Sequence, residues 1–119
     1  MGPAATTLIN VTTGTVLAQR ADVARAVLTR VVGLLGRRAF SDGEAMIFPR
    51  CSSIHTCGMA FPIDAIFLRG DLAVKLVERL GSWRMVWAGG ADTVIELPAG
   101  AIARTATQIG QRFQWFSRG

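Results

Sequence analysis

Tyrosine is absent from the 119 residues, and histidine and lysine occur once each, at His55 and Lys75. Two cysteines, Cys51 and Cys57, are too few for a disulfide scaffold. The fold must therefore rest on its apolar core, and half of the residues are hydrophobic. With 18% charged residues and no low-complexity segment, the composition excludes a disordered chain. No apolar run approaches the ~18–20 residues of a membrane-spanning helix. The first residues lack a basic segment followed by an apolar one, so no signal peptide is expected and the location is predicted to be cytoplasmic. Acidic residues are the minority, 8 against 13 basic ones, giving a net charge of +5. The basic residues are nearly all arginine, spread from Arg20 to Arg118, with Arg37–Arg38 as the adjacent pair. Without tyrosine or a basic stripe interleaved with aromatics there is no stacking platform, so no nucleic-acid partner is expected.

What is present reads as one domain, residues 1–119. Thr6–Thr12 is rich in β-branched residues and reads as a strand, with Gly14 as a turn and "TVLAQ" as its hairpin partner. An amphipathic helix is predicted over about residues 22–36. Asp22 would be its N-cap, and Ala24, Val27, Leu28, Val31, Leu34 and Leu35 would form its apolar face. Further strands are expected in "EAMIF", "IDAIFL", "LAVKLVERL", "WRMVWA", "TVIELP" and "QRFQWF", with Arg69-Gly70-Asp71 as a hairpin turn and a short helix in "AIARTATQ". The predicted fold is mainly β: a β-sandwich or squat barrel of short strands with one amphipathic helix.

Chemistry-bearing residues gather in "CSSIHTCGM", Cys51–Met59. Three readings stand. In the first, Ser53, His55, Thr56, Met59, Asp64 and Glu96, walled by Trp83 and Trp87, form a cleft for a small polar or anionic ligand. Asp64 begins an apolar strand, so if buried it must be hydrogen-bonded, with Arg50, Arg84 or the amides of the "SIHT" turn as candidate partners. In the second, Cys51, His55 and Cys57 hold zinc or supply an activated thiol for a hydrolase, because thiolate and imidazole are zinc ligands and a histidine two residues along a strand shares a cysteine's face. The spacing lacks the paired knuckles of structural zinc sites. A Cys51–Cys57 disulfide is a variant of the same reading. In the third, the domain is an interaction module whose basic surface or exposed strand edge docks a protein partner, which predicts a large exposed apolar patch and no well-formed polar pocket. No cofactor is required by any motif.

Four segments occur in order: "RVVGLLGRRAF", "GEAMIFPRC", "SIHTCGMAFPIDAIFL" and "VIELPAG". Together they resemble the DUF192 (UPF0127) family of small bacterial and archaeal proteins, over about residues 8–112. The resemblance implies a mainly β fold with one helix, and no established activity. Many members carry Trp-Met-Lys-Asn-Thr where this chain has His55-Thr56-Cys57-Gly58-Met59, so a chemistry common to the family would not rest on His55. The chain also departs at Arg69, where an acidic residue is frequent, and at Gly110–Gln111, where the family often has Gly-Asp.

Overall fold

The computed structural model describes residues 6–24 and 40–117. Strands β1 (Thr6–Asn10) and β2 (Thr15–Val23) form the predicted antiparallel hairpin. Gly14 supplies the left-handed turn residue at φ 79°. Asn10 locks the turn, its side-chain carbonyl accepting the N–H groups of Thr12 and Thr13 at 3.0 and 3.2 Å.

β2 runs further than the sequence pattern suggests. Asp22, expected as a helix N-cap, lies inside β2 opposite Met46 of β3 (Gly43–Pro49), in a parallel pairing. The ladder continues through Ala24, whose N–H donates to the Ile47 carbonyl at 2.8 Å. A residue whose backbone belongs to a strand ladder cannot also cap a helix. The rest of the predicted helix, residues 25–36, lies outside the described residues. A parallel pair requires a long crossover, and the connection from Ala24 to Asp42 has that length.

The remaining elements are β4 (Ser53–His55), β5 (Ile63–Arg69), β6 (Leu72–Leu80), β7 (Met85–Trp87), β8 (Thr93–Pro98), the short helix α1 (Ala101–Arg104) and β9 (Phe113–Ser117). Seven strands make one sheet in the order β6-β5-β8-β3-β2-β1-β9, while β4 and β7 form a separate two-stranded ribbon. The large sheet curls until its two edges touch. Leu72 bridges Arg112, Ala73 exchanges bonds with Gln111 and Gly110 at 2.9 Å each, and Phe113 N–H donates to the Asp71 carbonyl at 2.8 Å. The predicted squat barrel is thus stitched at one end. Such stitching shields part of two strand edges that would otherwise invite pairing with another chain.

Two cores follow from side-chain alternation. Leu8, Ala21, Ile47, Ile66, Leu68, Ile95, Leu97, Ile102 and Phe113 fill the inside of the curl. Met46, Phe48, Ile54, Met59, Ile63, Ala65, Phe67 and Val94 form a second cluster on the outer face, under the ribbon. β5 and β8 are buried on both faces. That is why "IDAIFL" and "TVIELP" read as continuous apolar runs rather than alternating ones.

Candidate interaction surface

The expected cleft residues do not converge. Asp64 is fully buried and lies inside the curl, across from Leu97. Its Oδ1 accepts the Arg79 N–H at 2.8 Å, and its Oδ2 accepts the N–H groups of Gly100 and Ile102 at 3.1 and 2.8 Å. The partners are therefore backbone amides of β6 and of the Pro98–Gly100 turn into α1, not Arg50, Arg84 or the "SIHT" turn. Arg79 is held at φ 51° and Gly100 at φ 95°. One carboxylate thus ties three chain segments together and fixes a left-handed residue at two of them.

Glu96 points the other way. It pairs with Ala65 and Met46, both of the outer cluster, so it sits on the opposite face of the sheet from Asp64. Among the described residues nothing donates a hydrogen bond to its carboxyl. Burial pushes the group up from 4.5 to about 7, because an ionised carboxylate is poorly solvated there.

Thr56 is also fully buried, and its role is local. Its hydroxyl donates to the Gly81 carbonyl at 2.6 Å and accepts the Arg84 N–H at 2.9 Å. Its backbone N–H donates to the Arg84 carbonyl at 2.9 Å, and its carbonyl accepts from Trp83 and Met59 at 3.2 and 3.1 Å. Thr56 therefore staples the 81–84 turn to the end of β4. Met59 is buried in the outer cluster, and its carbonyl accepts the Ser82 hydroxyl at 2.6 Å.

Residues 51–57 do not make the expected strand of ligands. β4 ends at His55, and Thr56–Met59 is a turn with Gly58 at φ 80°. His55 and Cys57 therefore lack the shared strand face. The Cys51 thiol donates to the Ser53 carbonyl at 2.9 Å, and Cys57 is exposed in the turn. Both cysteines are free. They flank β4 at opposite ends. Among the described residues no three His, Cys, Asp or Glu side chains group where they could hold a metal.

What the structure does bring together lies on the outer face of the ribbon. Ser53 pairs with Trp87, Ile54 with Val86 and His55 with Met85. Ile54 and Val86 face the outer core, so Ser53, His55, Met85 and Trp87 face solvent. Trp83, at φ 62°, precedes the strand. Trp83, Met85 and Trp87 are 72%, 66% and 66% exposed. Alternation along β7 gives Met85 and Trp87 a shared face, while Trp83 precedes the strand in a left-handed conformation to which that period does not extend. Alternation does not say which side of the ribbon the rest of the protein covers.

The DUF192 family model, described as Uncharacterized ACR, matches residues 8–115. The chain belongs to the DUF192 family. No curated protein matches it. Two solved structures resemble this DUF192 domain. One is a protein of unknown function from Novosphingobium aromaticivorans DSM 12444, with a TM-score of 0.78, 24% identity, and coverage of 93% of this chain and 84% of that one. The other is a protein of Sinorhizobium meliloti 1021, provisionally described as a transcription regulator. It has a TM-score of 0.80, 20% identity, and coverage of 96% of this chain and 94% of that one. At these identities the likeness speaks for the fold of the DUF192 domain and not for its activity. Among the described residues no helix is long and apolar enough to cross a membrane.

Proposed function

We propose that this DUF192 domain is a protein-interaction module whose working surface is the solvent face of the β4–β7 ribbon. The observation that carries this reading is the exposure of Trp83, Met85 and Trp87 within five consecutive residues. A large aromatic side chain presents roughly 150–250 Å². The two exposed tryptophans with Met85 between them expose several hundred Å², about the size of the largest apolar patch on a typical folded chain, which is often functional. Tryptophan and methionine are also the residues enriched at interface centres, and tryptophan dominates their energetics. The cleft reading for a small ligand is less well supported, because Asp64, Glu96 and the tryptophans face three different environments. The zinc- or thiol-hydrolase reading is less well supported, because Cys51, His55 and Cys57 do not face one another.

The test has two arms. Trp83→Ala/Trp87→Ala is expected to leave the unfolding free energy from urea titration within about 0.5 kcal/mol of wild type, as exposed positions do. A photo-crosslinker placed at Met85 in the full chain, expressed in its own host, is expected to yield one discrete adduct that the double variant loses. A fall of ~3–5 kcal/mol in stability would instead make the tryptophans packing residues. A crosslinking pattern indifferent to the double substitution would sink the docking reading.

A further inference from the structure

We infer that the partner segment seated on the ribbon is acidic, an inference that rests on the docking reading above and deepens it. No Asp or Glu occurs from Pro49 to Ile63 or from Gly81 to Ala91, the two stretches that build the ribbon and its turns. Arg50 and Arg84 do occur there, and both are exposed. Two more cations reach the Trp87 end of the ribbon. The Lys75 ammonium donates to the Trp87 carbonyl at 2.9 Å, and the Arg69 guanidinium donates to the Gly90 carbonyl at 3.1 Å. Of the carboxylates that border these stretches in the chain, Asp64 and Asp92 are engaged, while Glu78 of β6 is exposed. Asp64 is buried on its three amides. Asp92 accepts the Gly70 N–H at 2.8 Å and the Thr93 hydroxyl at 2.9 Å. The apolar strip thus lies between cations at both ends, with no free anion in the segments that form it.

Charges at an exposed rim are worth too little to supply the affinity. They set which partner arrives and how fast. The apolar strip would supply the affinity, so the fitting partner alternates apolar anchors with carboxylates. A methionine between the tryptophans suits side-chain anchors of varied shape, which its flexible thioether accommodates. Single-stranded nucleic acid would instead need cations tracking a phosphate backbone along a groove, and here they stand at the ends of the strip.

The test uses the full chain and follows the indole N–H resonances of Trp83 and Trp87, with half-buried Trp115 as the internal control. The probes are a peptide alternating Glu with Leu and Phe, its Gln and Lys counterparts, an oligothymidylate, and phosphatidylglycerol vesicles. The expected result is movement of Trp83 and Trp87 by the Glu peptide, weakened about tenfold between low and physiological-to-high salt. Arg84→Glu is expected to weaken that peptide about tenfold and to favour the Lys peptide. Equal binding of the Gln and Glu peptides would overturn the acidic partner and leave docking intact. Binding of the oligothymidylate or vesicles alone, or no movement of either indole by any probe, would overturn the proposal.

Discussion

Replacing Glu96 by Gln should make this protein more stable at alkaline pH and change little at pH 5. In the folded chain the carboxyl is buried beside Met46 and Ala65, with no hydrogen-bond donor among the described residues. Its proton is held up to about pH 7, against 4.5 when solvated. Between those values the unfolded chain has lost a proton that the folded chain keeps. Stability from this group is therefore full below about pH 4.5, falls as pH rises to about 7, and is flat above. At about 1.4 kcal/mol per pH unit, the loss across the window is about 3 kcal/mol. Glutamine has the same shape and no charge, so Glu96→Gln removes the slope. Urea unfolding of both proteins from pH 4.5 to 8.5 measures it. With a urea dependence of ~1–3 kcal/mol per molar, the variant's midpoint should exceed wild type by ~1–3 M at pH 8 and differ little near pH 5. The same difference at both pH values would mean that the carboxyl is solvated. A variant that loses stability as pH rises would mean that an ion pair holds the carboxylate, and either result refutes the reasoning.

Asp64→Asn should destabilise the fold by ~2–4 kcal/mol in the same assay, because an amide group would face backbone N–H donors that the carboxylate now accepts. A loss under ~1 kcal/mol would show that those donors find water. Thr7→Val should be neutral or stabilising by up to ~1 kcal/mol, since the Thr7 hydroxyl is buried and finds no hydrogen-bond partner among the described residues. Clear destabilisation there would reveal a partner for the hydroxyl. Thr56→Val should cost ~1–3 kcal/mol and loosen the 81–84 turn, seen as faster amide exchange at Arg84, since the hydroxyl's bonds to Gly81 and Arg84 are lost. Unchanged exchange at Arg84 would refute the staple.

Most of the strand content was legible because its signals are local. "TVIELP" is β8 residue for residue, and "IDAIFL" and "LAVKLVERL" form the β5–β6 hairpin around Gly70–Asp71. β-branched runs and turn residues need no knowledge of what lies across the sheet. The extension of β2 through Asp22 was not legible. There the parallel ladder with β3, a contact between distant segments, overrode the helical pattern that begins at Asp22.

The candidate site divides the same way. The residues alone determined that the few polar groups of Cys51–Met59 and the aromatic strip at 83–87 were the places to look, and that Asp64 needed partners if buried. Only the tertiary structure decided what each one does. Sheet pairing sends Asp64 and Glu96 to opposite faces, because neighbouring positions on adjacent β5 and β8 alternate between inner and outer core. The turn at Thr56–Met59 separates His55 from Cys57. The ribbon lies on the large sheet by its Ile54–Val86 face, which leaves Trp83, Met85 and Trp87 in solvent. A period-two pattern fixes which residues share a face; which face is covered depends on what packs against it.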